Sequence, residues 1–299
     1  MAVCEKSGLK IGYGDTKFMP ITGSKSKLIG NSATYTILII GSVIMAMPFI
    51  WMVASSFKDI GEIWSFPPVF LPKKFLWKNY LEAWKSLPFD RFLFNTVFVT
   101  ICVTIGQLFT CSLGGFAFSR LQFPGRNKLF IGYLATLMIP FPVIMIPLFV
   151  TMKYLGWVDS LKALIIPGLF SAWGTFLMRQ FMLGIPKDLE DAAKIEGCSF
   201  WGLYWRIIMP LCKPVLATLG IFTFMGTWND FLWPLIMINT IPKKTLPLGL
   251  VMFQARVAAE TPWHLIMAAA CFTILPILIL FIIGQKYYVK GIVTTGMKG

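Results

Sequence analysis

Four stretches of this chain contain no Asp, Glu, Lys or Arg: Leu28–Phe57, Phe92–Ser119, Leu129–Met152 and Thr261–Gln285. Each exceeds the roughly 20 apolar residues that an α-helix needs to cross the hydrocarbon core of a bilayer. Two further segments come close. Leu161–Leu183 carries only Lys162 and Arg179, near its ends, and Pro214–Leu235 carries only Asp230. In lipid, backbone polar groups must be satisfied within a helix or a closed barrel. Barrel strands would be about 9–11 residues long with dyad alternation, and these runs show neither. The reading is an all-α integral membrane protein with six transmembrane helices, at 33–57, 92–118, 129–152, 161–183, 214–235 and 265–284.

Charged residues make up 13% of the chain, against about 25% in soluble domains, so a soluble globular class is excluded. The net charge of +14 needs no nucleic acid as partner, because lysines at an anionic lipid surface account for it. The first apolar run is too long for the roughly 7–15-residue core of a signal peptide, so it reads as a retained anchor. With the N-terminus in the cytosol, inner segments hold 16 basic residues and outer segments 11. That bias places both termini inside.

The organisation expected is a cytosolic tail at 1–32, a first span and outer loop at 33–91, a five-helix core at 92–284 and a cytosolic tail at 285–299. The third span holds Pro140, Pro142 and Pro147, so it should be kinked or broken. Gly114 and Gly115 in the second span suit close helix packing. No Cys pattern suggests a disulfide or a metal site. The lone His264, beside Trp263 at the mouth of the last span, reads as interfacial. No catalytic residues, cofactor ligands or metal ligands are expected. The phosphate-cradling motif G-x-x-x-x-G-K-[ST] is absent, so any ATP must be used by another chain.

The chain has 13 acidic residues, and four of them crowd into one short segment: Asp188, Glu190, Asp191 and Glu196. Ile185-Pro186 closes the fourth span before it. Asp188 is expected to cap a helix, with Asp191 as the acidic member of a capping box. Carboxylates in a first turn also suit the helix dipole. Leu189, Ala192, Ala193 and Glu196 share one face at i, i+3, i+4, i+7 spacing, and the paired alanines make it shallow. Gly197 should end the helix in a left-handed conformation. Ser199 should then cap a second helix with Phe200, Leu203, Tyr204 and Ile207 on one stripe, ended by Pro210. By physics alone this is either a solvated hairpin or a polar knob presented to a partner.

The spacing Asp191-Ala192-Ala193, Gly197, then Ile207-Ile208-Met209-Pro210 resembles the inner loop of ABC importer permeases, whose pattern is Glu-Ala-Ala, three residues, Gly, nine residues, Ile-x-Leu-Pro. Asp191 stands for Glu and Met209 for Leu. The stretches "FLMRQFMLGIPKDLEDAAKIEG", "IFTFMGTWNDFLWPL", "TLPLGL" and "YYVKGIVTTGMKG" resemble the carbohydrate branch of that family, the maltose-type permeases. The resemblance implies the type I importer fold, with segment 185–212 as the coupling loop. It implies that Glu190, Asp191, Ala192, Ala193 and Gly197 meet an ATPase. It also implies a second homologous permease, two ATPase subunits using ATP and Mg, and an extracytoplasmic substrate-binding protein, in the inner membrane of a bacterium. Basic residues in the outer loops would tolerate an anionic sugar such as an alginate oligomer.

Asp230, with Asn229, lies inside a predicted span. A charge there is a functional-site hypothesis by default, as pathway lining or gate, set against a structural hydrogen bond between spans. Trp228 and Trp233 could stack on sugar or sit in the interface. Two other function classes remain open at this point. A secondary transporter would call for several buried charges and an internal repeat. A membrane enzyme would call for clustered His, Asp or Glu at one interface.

Overall fold

The computed structural model describes residues 24–256 and 261–296. Among them the chain forms helices and connecting turns, with no strand. In order these are α1 (Ser24–Ser56), α2 (Ile60–Ile63), α3 (Lys78–Ser86), α4 (Phe89–Arg120), α5 (Arg126–Ala135), α6 (Phe141–Tyr154), α7 (Leu161–Gly168) and α8 (Ala172–Leu183). There follow α9 (Asp188–Ile195), α10 (Phe200–Gly202), a π turn (Leu203–Ile208), α11 (Met209–Leu211), α12 (Lys213–Trp228), α13 (Leu232–Met237), α14 (Leu246–Arg256) and α15 (Trp263–Gly296). The chain divides into two compact units, Met1–Ile50 and Trp51–Gly299. The described part of the first unit is a single helical rod, and its described side chains are almost all exposed.

Among the described residues, four segments are long and apolar enough to cross a membrane: Thr34–Ser56, Phe89–Arg120, Leu161–Leu183 and Trp263–Gly284. Two bent pairs bring the number to six if each is one span. Arg126–Met138 meets Phe141–Tyr154 at 101°, and Phe200–Leu211 meets Lys213–Trp228 at 77°. The first bend is the break that the prolines foretold. It falls at Ile139-Pro140, where a residue before proline leaves the helical region; Ile139 has ψ 113°. The predicted fifth span is shorter than expected, because α12 stops at Trp228 and the chain turns before α13. Helix also runs into both predicted tails, from Ser24 and through to Gly296. The part of the predicted N-terminal tail before Ser24 lies outside the described residues.

In the second unit α4 is the central rod. Among the described residues, three buried clusters surround it. One unites α4, α8, α9, the π turn and α12 through Phe116, Met178, Met182, Tyr204, Ile208 and Leu219. A second gathers α3, α12, α14 and α15 on α4. A third joins α4 to α6, α7 and α13. The approach of α4 to α8 depends on Gly115. A Cβ there would stand 2.6 Å from the Met178 Cβ and 3.0 Å from the Arg179 backbone nitrogen. Only a residue without a side chain lets the two backbones pack at this distance.

Candidate functional site: the capped loop helix and the cavity at the broken span

Lys187 precedes the first turn of α9 and makes no side-chain cap bond; Asp188 is already helical. Asp191 pairs with Lys194 at 3.3 Å on the exposed surface rather than closing a capping box. The expected cap roles of Asp188 and Asp191 are therefore not seen. Three carboxylates do occupy the first turn, where they favour the positive end of the helix dipole.

The C-terminus of α9 follows the sequence more closely. Gly197 has φ +77°. Its N–H donates to the Lys194 carbonyl at 3.0 Å, and the Cys198 N–H donates to the Ala193 carbonyl at 2.9 Å. This is the double bond pattern of the Schellman motif. A Cβ on Gly197 would meet nothing within 4 Å, so backbone conformation and not internal crowding selects glycine there. Ser199 then caps α10, accepting from the Gly202 N–H at 3.2 Å.

The face predicted to be continuous is divided. Ala193 is buried and Glu190 is 5% exposed, both turned into the protein. Leu189, Ala192, Ile195 and Glu196 are exposed, Ile195 at 88%. Ala193 stands at the edge of the predicted face, about 40° around the helix from Leu189 and about 60° from Glu190, and the protein covers the side that holds Glu190 and Ala193. Of the five residues expected to meet a partner, Glu190 and Ala193 thus face inward, and Asp191, Ala192 and Gly197 face outward. Glu190 reaches Arg120, with Nη1 to Oε1 at 2.6 Å and both side chains almost wholly buried. Arg120 also donates to the carbonyls of Met182 and, at 2.9 Å, Ile185. Its guanidinium satisfies backbone acceptors left open at the end of α8.

The following helix departs from its expected stripe. Leu203, Tyr204 and Ile208 are buried, while Phe200 is exposed at 65%. The π turn over Leu203–Ile208 holds an extra residue per turn, so the buried positions shift by one. The Tyr204 hydroxyl and the Ser112 hydroxyl share a hydrogen bond of 2.7 Å, tying this turn to α4. Pro210 is the second residue of α11 rather than the end of the helix.

A second feature lies at the interruption between α7 and α8. There Gln107 of α4 donates from Nε2 to the Gly168 carbonyl at 2.7 Å and accepts at Oε1 from the Thr223 hydroxyl at 2.9 Å. The Thr110 hydroxyl donates to the Leu169 carbonyl at 2.5 Å. These side chains satisfy carbonyls released where the helix stops, the condition for an irregular backbone at membrane depth. Beside them a shallow cavity of about 400 Å³, wide open to the surface of the chain, is lined by Gln107, Trp173, Phe222, Thr223, Gly226 and Thr227. Trp173 and Phe222 meet edge to face, with centroids 5.5 Å apart. One wall is aromatic and the other carries hydroxyl and amide groups. The sequence reading did not single out these residues. A glutamine inside an uncharged run was the signal that could have done so.

Neither tryptophan proposed for stacking lines this cavity. Trp228 is 1% exposed and donates its indole N–H to the Thr273 carbonyl at 3.0 Å. Trp233 is 6% exposed and donates to the Ala163 carbonyl at 2.9 Å. Their ring nitrogens are occupied inside the core, which gives both a packing role in this chain. Asn229 caps α12, donating to the Met225 carbonyl at 2.8 Å. Asp230 lies between α12 and the six-residue α13, two residues before α13 begins.

Beyond the spans, Asp159 holds two loops together. It accepts from the Asn239 and Thr240 N–H groups at 2.9 and 2.8 Å, is hydrogen-bonded to the Thr240 hydroxyl, and pairs with Lys243 at 3.0 Å. The Thr240 hydroxyl first, then the backbone donors and Lys243, hold its carboxyl well below the usual carboxylate range. Lys58 lies wholly buried just past α1. It donates to the Val69 carbonyl at 2.6 Å and stands 3.9 Å from the Trp51 ring centre. Burial pushes its ammonium below the usual lysine range, an effect that Glu62 opposes.

A helical membrane chain that carries a capped hairpin between two spans, with a glycine C-cap and a fixed interval to the next helix, is a recognisable class. Residues 111–294 match the family of binding-protein-dependent transport system inner membrane components, and the chain belongs to that family. Among its relatives it is 33% identical over 279 residues to the probable ABC transporter permease protein YurM of Bacillus subtilis, covering 91% of this chain and 90% of that one. It is 33% identical over 259 residues to the arabinooligosaccharides transport system permease protein AraQ of Halalkalibacterium halodurans, covering 86% and 92%. To the sn-glycerol-3-phosphate transport system permease protein UgpE of Yersinia enterocolitica it is 32% identical over 266 residues, covering 87% and 94%. Its fold matches a chain from the crystal structure of a bacterial ABC transporter involved in import of the acidic polysaccharide alginate, with a TM-score of 0.79 at 22% identity, covering 90% of this chain and all of that one. A chain from the alginate transporter in complex with its pentasaccharide-bound periplasmic protein matches with a TM-score of 0.63 at 14% identity, covering 86% and 94%.

Proposed function

We propose that this chain is a permease subunit of an ATP-driven ABC importer and forms half of the transmembrane pathway for a carbohydrate. The observation that carries the reading is the outward face of α9. Leu189, Ala192 and Ile195 form an exposed apolar stripe among carboxylates, on a helix closed at its C-terminus by Gly197. Such a stripe is what a helix-in-groove contact requires. The ATPase is a separate pair of subunits that use ATP and Mg, and this chain binds no cofactor. Both termini face the cytosol, and a second homologous permease completes the pathway. A binding protein delivers the sugar from outside. Relatives that bear arabinooligosaccharide and glycerol phosphate names and a fold neighbour from an alginate importer support a sugar, and an anionic one is compatible with the basic outer loops. The aromatic and hydroxyl walls of the cavity at Gln107 and Trp173 suit a ring that offers both an apolar face and hydroxyl edges.

The test is co-purification of the chain with a soluble ATPase, followed by reconstitution and uptake of labelled oligosaccharides in the presence of binding protein. The expected result is ATP-dependent uptake of a sugar. Uptake that runs on an ion gradient without ATP would overturn the reading in favour of a secondary transporter.

A further inference from the structure

The eight-residue α9 turns two side chains inward. Ala193 makes a small apolar contact, which fixes no direction. Glu190 makes an ion pair of 2.6 Å with Arg120, and among the described residues this is the ion pair in which both partners are buried. A charge pair taken out of water holds its geometry tightly, because separation leaves each charge unsolvated. Arg120 is the last residue of α4, and its other nitrogen bonds the carbonyls of Met182 and Ile185 where α8 ends.

The same two helices each contribute one residue to the cavity, whose other four lining residues lie on α12. Gln107 lies on α4, 13 residues before Arg120, which is about 20 Å at the helical rise. Trp173 lies near the start of α8. Gly115 locks α4 against α8 between these points. One guanidinium therefore joins the loop helix to the far end of two of the three helices that line the cavity.

We infer that Arg120 is a positioning residue that transmits movement of α9 to the α4–α8 pair, so that the ion pair with Glu190 couples the motor side of the protein to its pathway. The inference rests on the proposed role of α9 as the ATPase contact. Coupling of this kind needs a contiguous physical link whose arrangement both sites bias.

The test compares Glu190→Gln, Arg120→Lys and the reversed pair Arg120→Glu with Glu190→Arg, each reconstituted with the partner permease, ATPase and binding protein. Three quantities are measured: the ATPase recovered with the chain, hydrolysis without substrate, and sugar taken up per ATP hydrolysed. The expected result is a lower yield of folded chain but, per folded chain, normal ATPase recovery and hydrolysis, with uptake per ATP reduced about 10-fold, within the range usual for coupled sites. The reversed pair should recover part of that ratio. A merely structural pair would lower yield and both activities together and leave the ratio unchanged. An unchanged ratio in Glu190→Gln and Arg120→Lys overturns the inference. So does failure of both mild variants to accumulate or to hold the ATPase, since the pair would then serve folding or docking alone. If the unaltered chain recovers no ATPase at all, the proposed function itself falls.

Discussion

Ala192 and Ala193 are consecutive, yet Ala192 is exposed and Ala193 is 4% exposed, packed in the cluster that includes Met182 and Leu203. The two alanines of the loop motif therefore answer to different neighbours. Ala193→Leu should overpack the protein's own core, at a cost of about 1–3 kcal/mol, and lower the yield of folded chain. Ala192→Leu should leave the isolated chain as stable as before, because leucine is well tolerated on an exposed helix position, and weaken ATPase recovery. Thermal melting of the purified chain beside ATPase co-purification separates the two effects. Equal melting temperatures for both variants would contradict the burial assigned to Ala193.

At Gly197 the conformation is the constraint, since the space around it is open. A left-handed residue with a Cβ costs about 1–2 kcal/mol, and asparagine adopts this conformation more readily than other residues. Recovery of the ATPase should fall in the order Gly, Asn, Ala, Val. If bulk against a partner mattered more than backbone angle, Gly197→Asn would be worse than Gly197→Ala.

The Asp159 clamp should depend on pH in one direction. Its carboxyl is held below the unfolded value near 4, so its contribution is complete above that pH and is lost as the pH falls below it. Hydrogen exchange of the Asn239 and Thr240 amides, corrected for intrinsic rate, should show protection at pH 6 that weakens progressively below about pH 4. Thr240→Val removes the largest cause of the shift and should move that loss to higher pH.

Trp173 and Trp228 should respond in opposite ways. Trp228→Phe removes one buried hydrogen bond to the Thr273 carbonyl, worth about 1 kcal/mol net, and should reduce yield with the substrate dependence of uptake unchanged. Trp173→Ala should leave yield near normal and reduce uptake. A change in apparent KM for Trp228→Phe with normal yield would return that residue to the pathway.

Much of this was legible in the chain. Uncharged runs locate the spans because a bilayer excludes charge so strongly that hydropathy alone marks α4 and α15. Gly197 and Ser199 were legible because caps are local: each is fixed by a few bonds within one turn. Asp188 misled because carboxylates favour both the cap position and the first turn, and α9 begins one residue earlier than the cap pattern implied. Trp228 and Trp233 misled because an indole serves a core as well as a binding surface, and the acceptors Thr273 and Ala163 lie 45 and 70 residues away. The Arg120–Glu190 pair joins residues far apart in sequence, and nothing local to either one announces the other.

The π turn at Leu203–Ile208 also bears on chain length. A π turn carries one residue more than an α turn, and each residue of an α-helix advances the chain by roughly 100°. Removing a single residue between Ser199 and Ile208 would let this turn relax to an ordinary α-helix with Pro210 and the start of α12 near their present direction, whereas removing a second would rotate them by about that angle. The nine-residue interval between Gly197 and Ile207 acts as a ruler with the surplus residue included. An insertion there, or a deletion beyond that one residue, would change the direction in which α12 leaves the loop, even if every side chain of the motif were kept.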